Sequence, residues 1–320
     1  MPAALTPVDL PVRTHPDERT IATGNDQLKR RRRREYGLFA LLVAPNLLVI
    51  AVFAYWPIIY NAFLSLTDWN MIAARPKFIG LANYGRTLTD PAFHKTLWIT
   101  VVFTGLIVIG SLIIGLALAL LFNLPLKGRG AVRTIAFAPH ILSGAAVATI
   151  WAFIFDPGYG LMRALIEPFG AEPPDWMNNS DWALPGLVIV YLWKNVGFAA
   201  LIYLAGLQGL PKELDEAAAI DGASSWTRFR AIKLPLLAPI TFFLLITTVI
   251  GTFQAFDVIA VMTGGGPGDA TTTLSWSIYN EGFQAFNAGR AATLSIIMFV
   301  ILLVVTTVQA KVMERRVHYR

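Results

Sequence analysis

Two charged side chains stand inside stretches that are otherwise apolar: Lys194 in "YLWKNVGF" and Asp257 in "FQAFDVIA". A charge in hydrocarbon costs on the order of 2.5–3.5 kcal/mol even on a lenient insertion scale, so both must face the interior of a helix bundle or a wet passage. Groups suited to a hydroxylated solute lie beside them: the amides of Asn195 and Gln254 and the aromatic faces of Trp193 and Phe256. Two readings are open. In the structural one, Lys194 and Asp257 neutralise each other or nearby backbone, or Asp257 sits at the outer interface. In the functional one, Lys194, Asn195, Gln254 and Asp257 line a route through the membrane, with Trp193 and Phe256 as stacking surfaces for a polyol or sugar. A lysine suits a phosphate-bearing substrate but does not discriminate it from a neutral sugar.

Other chemistry is excluded by what the chain lacks. It has no cysteine, hence no disulfide, thiol nucleophile or Cys-ligated metal. His15, His94, His140 and His318 show no metal-ligand spacing, and no two share a span, so neither a metal site nor a membrane-embedded enzyme is written here. No Gly-x-x-x-x-Gly-Lys-Ser/Thr occurs, so the chain does not cradle nucleotide phosphates itself. A self-sufficient secondary transporter predicts inverted repeats and several intramembrane carboxylates, which are not visible.

A second cluster lies in "DEAAAIDGASSWTRFRAIKLP", Asp215 to Pro235. Pro211 suits the first turn of a helix, and Glu213, Asp215 and Glu216 place negative charge near its positive end. Leu214, Ala217, Ala218 and Asp221 recur at helical spacing and give a slim apolar face, with Glu213 and Glu216 to the side. Gly222 fits a left-handed C-cap, and Ser224 or Ser225 can cap a second short helix carrying Trp226, Phe229 and Ile232. Small residues let another protein's groove approach the backbone, and a flanking carboxylate can pair with a basic group there.

The elements that must position these clusters are membrane helices. With 55% hydrophobic and 14% charged residues, against about a quarter charged in a soluble domain, the chain is an all-α integral membrane protein. Six apolar segments are long enough to span: Leu38–Leu64, Leu97–Leu121, Thr134–Phe155, Leu184–Leu204, Leu236–Met262 and Ala291–Val308. Lys and Arg concentrate in "KRRRRR" (Lys29 to Arg34), in the second and fourth connections and in the C-terminal segment. The positive-inside rule then places both termini and the Asp215–Pro235 stretch in the cytoplasm. The basic run reads as a topogenic anchor on an anionic leaflet rather than a nucleic-acid patch. The organisation expected is a disordered tail over 1–36, a transmembrane domain over 37–310 with its long cytoplasmic loop at 208–235, and a cytoplasmic tail over 311–320. Trp176 and Trp182 fit an interfacial aromatic belt. Gly264, Gly265, Gly266, Pro267 and Gly268 forbid regular structure and mark a flexible turn, or else a loop that must bend tightly or receive another surface.

The run "EAAAIDGASSWTRFRAIKLP" (Glu216 to Pro235) resembles the EAA motif of permease subunits in binding-protein-dependent ATP-binding-cassette importers. "FIGLANYGRTLTDPAF" (Phe78 to Phe93), "TGGGPGDATTTL" (Thr263 to Leu274), "IYNEGFQAFNAGRAATLS" (Ile278 to Ser295) and "MERRVHYR" (Met313 to Arg320) are similar to its carbohydrate-uptake branch, in particular to glycerol-3-phosphate and glycerophosphodiester importers. Relatives that import disaccharides share much of this wording. The resemblance implies a type I importer permease fold of six transmembrane helices in a bacterial inner membrane. It also implies a coupling helix that docks in a cleft of an ATPase, with Glu216 as docking carboxylate, Ala217 and Ala218 as the close-packing face, Asp221 beside them and Gly222 as the elbow. The partners implied are a second homologous permease subunit forming a heterodimeric pore, two cytoplasmic ATPase subunits that hold ATP and Mg, and an extracytoplasmic solute-binding protein facing Gly264 to Pro267. This chain itself would bind no cofactor and catalyse no reaction.

Overall fold

The computed structural model describes residues 18–125 and 127–316. The chain divides into two units, 1–60 and 61–320. In the first, α1 (Glu18–Ile50) passes into a π-helical turn, Ala51–Tyr55; the division then falls within α2 (Trp56–Ser65). Pro57 cannot donate to the carbonyl one turn back, and the wider turn ahead of it relieves the clash its ring would make. Helix α1 starts well inside the tail expected to be unstructured and carries the basic run, because extending a formed apolar helix costs far less than nucleating one. Residues 1–17 and 317–320, with His15, His318 and the end of "MERRVHYR", lie outside the described residues.

The second unit opens with a two-residue antiparallel ladder, β1 (Thr67–Asp68) on β2 (Lys77–Phe78), pairing Thr67 with Phe78. Helix α3 (Ala82–Thr89) follows. Asp90 then accepts from the Ala92 N–H at 2.9 Å and, with Pro91 in first position, starts α4 (Pro91–Phe122). Next come α5 (Arg129–Ile141), α6 (Gly144–Ile154), the short outer helix α7 (Leu161–Ile166) and α8 (Ser180–Gln208), which Asn179 caps. The remainder is α9 (Lys212–Ile220), α10 (Ser225–Arg228), α11 (Leu234–Leu236), α12 (Ala238–Phe253), α13 (Asp257–Met262), α14 (Leu274–Tyr279) and α15 (Ala288–Arg316).

Five stretches are long and apolar enough to cross a bilayer: Glu35–Ser65, Pro91–Phe122, Ser180–Gln208, Ala238–Met262 and Ala288–Met313. The third segment expected from hydropathy is not one rod. It is the pair α5 and α6, bent by 102° where Leu142 and Ser143 are extended, and it makes the sixth span only if the pair counts as one. The fifth is also interrupted, between Phe253 and Asp257.

Close helix contact rests on small residues, as expected where lipid offers no hydrophobic drive. A side-chain carbon on Gly115 of α4 would lie 2.7 Å from Ala199 of α8, and one on Gly197 would overlap the Ala136 carbonyl oxygen of α5. Around these contacts Phe103, Ile107, Leu187 and Val190 form one buried cluster, and Tyr203, Leu237 and Leu244 another. Trp176 belongs to the first cluster rather than to an interfacial belt. It is 7% exposed and stacks on Phe155 with ring centroids 5.0 Å apart, whereas Trp182 stays on the rim.

Candidate functional site

Helix α8 brings Tyr191, Lys194, Asn195 and Phe198 to one face, since positions three, four and seven apart lie above one another. Facing them, α12 offers Thr247, Thr248, Gly251 and Thr252, and its interruption supplies Gln254, Phe256 and Asp257. His140, from the end of α5, completes a cavity of about 520 Å³, within the range of small-molecule sites. The Lys194 ammonium lies 3.7 Å from Asp257 Oδ2, and the Tyr191 hydroxyl donates to Asp257 Oδ1 at 3.1 Å. Asp257 Oδ2 rests directly against Gly144, the first residue of α6, where any side chain would overlap the carboxylate. The bend between α5 and α6 thus brings the positive end of α6 to the carboxylate, and the absence of a side chain at 144 permits the approach.

Five of the six residues expected on a route therefore line one cavity: Lys194, Asn195, Gln254, Phe256 and Asp257. Trp193 does not. It falls off the Tyr191–Lys194–Phe198 face and packs edge-on against Trp151, with centroids 5.6 Å apart. Phe256 stacks on Trp276 at 5.8 Å and meets Tyr279 at a tilt of 53°, 4.7 Å away, so it forms a supported wall. Asn195 spends its amide N–H on the Tyr191 carbonyl at 2.8 Å, which leaves its carbonyl oxygen for a solute. His140, read from sequence as a scattered polar residue, stacks on Phe198 with centroids 4.6 Å apart and interplanar angle 11°, and its buried Nδ1 has no hydrogen-bond partner. Helical spacing could have found Tyr191 and Phe198; nothing in the sequence marks His140 as their neighbour. Among the described residues no three His, Asp or Glu side chains gather as metal ligands do.

The second cluster has the expected shape. Gly222 is left-handed, φ +80°, and closes α9 with the Ala223 N–H on the Ala218 carbonyl at 2.9 Å. Ser224 caps α10 by accepting from the Thr227 N–H at 3.2 Å. No side chain of α9 is buried: Glu216 and Ala217 are exposed, and so are Leu214, Ile220 and Trp226. Asp221 is the C-cap of α9, and its N–H makes the last helical bond, to the Ala217 carbonyl. On the opposite side of the sequence's fifth span, the glycine loop is held from within. Thr271 Oγ1 donates to the Gly266 carbonyl at 2.7 Å, Thr272 Oγ1 to that of Gly265 at 2.9 Å, and Lys95 Nζ to that of Gly268 at 2.7 Å. Gly264, Gly265 and Gly268 take positive φ, and Trp276 closes over Gly265. Pro267 follows a cis bond. The loop is bent tightly and bonded to itself and to α4.

Comparison with known proteins follows the same outline. Residues 111–319 match the family described as binding-protein-dependent transport system inner membrane component. The sn-glycerol-3-phosphate transport system permease protein UgpA of Agrobacterium fabrum is 36% identical over 280 residues, covering 87% of this chain and 95% of that protein. UgpA of Yersinia pestis is 35% identical over 283 residues, covering 88% and 95%. Among solved structures, a bacterial ABC transporter involved in the import of the acidic polysaccharide alginate superposes with a TM-score of 0.78 at 25% identity, covering 92% of this chain and all of that one. A bacterial alginate ABC transporter in complex with an alginate pentasaccharide-bound periplasmic protein gives the same TM-score at 23% identity, covering 90% and 98%.

Proposed function

This chain belongs to the family of binding-protein-dependent transport system inner membrane components, the non-catalytic, multi-pass permease subunits of ABC importers, and we propose on that premise that it passes sn-glycerol-3-phosphate or a glycerophosphodiester into the cytoplasm. The observation that carries the substrate is the cavity between α8 and α12, where a lysine stands beside a carboxylate that Tyr191 and Gly144 already hold in place. A phosphate entering the cavity meets the Lys194 ammonium as a compact charge, while Asn195, Gln254 and Thr248 offer hydrogen bonds to glycerol hydroxyls and Phe256 gives an apolar wall. The 3.7 Å separation from Asp257 is longer than a tight charge-assisted bond, so the lysine can exchange one anion for another at modest cost.

The energy comes from other chains. In this reading two ATPase subunits dock from the cytoplasm, each on one permease of a heterodimeric pore, and ATP-driven closure switches the bundle between inward-facing and outward-facing states. Glu216, Ala217, Ala218 and Gly222 form the docking helix and its elbow. The exposed carboxylate, the small face and the unburied Leu214 and Ile220 of α9 support that assignment. The loop Gly264 to Pro267 faces the solute-binding protein outside, and both termini lie in the cytoplasm.

A neutral disaccharide is the alternative, favoured by one observation: Asp257 already neutralises Lys194, and Phe198 and Phe256 offer faces to a sugar ring. Uptake by proteoliposomes holding the assembled importer decides between them. The proposal expects ATP-dependent accumulation of sn-glycerol-3-phosphate and a fall of roughly tenfold in Lys194→Met. Accumulation of maltose but not of the phosphate overturns it.

A further inference from the structure

The docking helix touches the rest of the protein through very little. No side chain of α9 is buried, and its link to α8 is the short turn Gly209 to Pro211. Among the described residues, every side-chain hydrogen bond and ion pair that ties α9 to another element runs through Asp215. Its Oδ2 meets Arg228 Nη1 of α10 at 3.1 Å, its Oδ1 meets Lys233 Nζ at 3.3 Å, and its carbonyl oxygen also accepts from Arg228 Nη1 at 3.4 Å. Arg228 reaches Ser225 Oγ at 3.3 Å as well, so the guanidinium is held from both sides. The three charged side chains are between 22% and 33% exposed, and one carboxylate between two cations is a network rather than an isolated surface pair.

Lys233 ends the π-helical turn Phe229–Lys233 that leads into α11 and α12. Four residues on, Leu237 is fully buried in the cluster with Tyr203, whose hydroxyl bonds Thr241 at 3.0 Å. The base of α12 is therefore seated, and the same helix carries Thr247, Thr248 and Thr252 to the cavity. We infer that Asp215 is a positioning residue for transport: it latches the docking helix to the base of α12, so that a push on α9 moves the cavity wall rather than bending the loop between them. This rests on the docking reading above. It goes beyond that reading because the carboxylate in question points inward, to this chain's own cations, and not to the ATPase.

The test uses the assembled importer in nanodiscs. This chain contains no cysteine, so nitroxide labels at Glu213→Cys and Phe243→Cys report the distance between α9 and α12 without background from this subunit. The latch keeps that distance narrow and unchanged between nucleotide-free and ATP-bound complexes. Asp215→Asn, which keeps the shape and removes the charge, broadens it. In proteoliposomes Asp215→Asn lowers sn-glycerol-3-phosphate taken up per ATP hydrolysed by at least about fivefold, the lower end of ordinary coupling energies, with the ATPase subunits still bound. Adding Arg228→Gln and Lys233→Gln to Asp215→Asn makes nothing worse, because the three act as one unit. An unchanged distance distribution in Asp215→Asn overturns the latch. So does loss of the ATPase subunits in that variant, which would make Asp215 a docking group. Glu216→Ala separates the two claims: full ATPase binding and uptake there overturn docking through α9 and the latch with it, while a defect there with a parental Asp215→Asn overturns the latch alone.

Discussion

In the loop after the fourth span, Asp215 meets Arg228 across 13 residues of chain; in the membrane, Tyr191 meets Asp257 across 66. The first cluster is closed by a helix, a glycine elbow and a second helix, all within one connection. The second exists only because three separate stretches converge, and one of them, at Gly144, does so by bending through 102°. Their surroundings differ as much as their construction. The loop charges form a half-buried network of one carboxylate and two cations, whereas the cavity charges lie between apolar helices, where an uncompensated ion is expensive. One is an exposed helix and elbow in a connection; the other is a polar cavity between apolar helices.

Variants can separate the two regions. Charge reversal at the lever, Glu216→Arg, is expected to have the largest effect: co-purification of the ATPase subunits is lost and uptake falls at least about 30-fold, as when a hydrogen-bonded interface charge loses its partner at a cost of about 2 kcal/mol or more. In the cavity, Lys194→Met leaves Asp257 without its cation. With that carboxylate 42% exposed the loss is smaller, about 1–2 kcal/mol, or roughly tenfold in uptake of the phosphate, while the ATPase subunits still co-purify. If Lys194→Met abolished ATPase binding instead, the two regions would not be separable in this way.

Gly144→Ala places a methyl where the Asp257 carboxylate lies, so overpacking of about 1–3 kcal/mol should lower thermal stability in detergent. Asp257→Ala in the same chain should restore part of it. Absence of that rescue would mean that the bend, and not the carboxylate, requires the glycine. The smallest effect is expected from Ser224→Ala, which removes one cap worth about 1 kcal/mol from a short exposed helix. Uptake should change less than about twofold, as it should in Trp193→Phe, whose ring packs on Trp151 rather than in the cavity.

How much could be read beforehand follows the same division. Gly222 and Ser224 were legible because capping is a local contest among neighbouring backbone groups. Asp221 falls at the C-cap, where its N–H still makes the helical bond to the Ala217 carbonyl. Lys194 and Asp257 were visible as charges too costly to leave in lipid, which locates them in an interior without saying which side chains they meet. Trp193 was drawn in because it is aromatic and adjacent, although helical geometry turns the next residue about 100° away. Trp176 was assigned to the lipid interface by its place near a span, and packing against Phe155 took it into the core instead.

The sequence alone determined the class, the apolar segments, and the short helix with its glycine elbow after the fourth of them. These follow from properties summed over neighbouring residues: hydropathy, charge bias and cap chemistry. Only the tertiary structure decided that α5 and α6 bend apart, that His140 joins the cavity and Trp193 does not, and that Asp215 turns inward to Arg228 and Lys233. Each of these depends on which faces of distant helices meet, and a glycine such as Gly144 shows its purpose only when the carboxylate that needs the space is beside it.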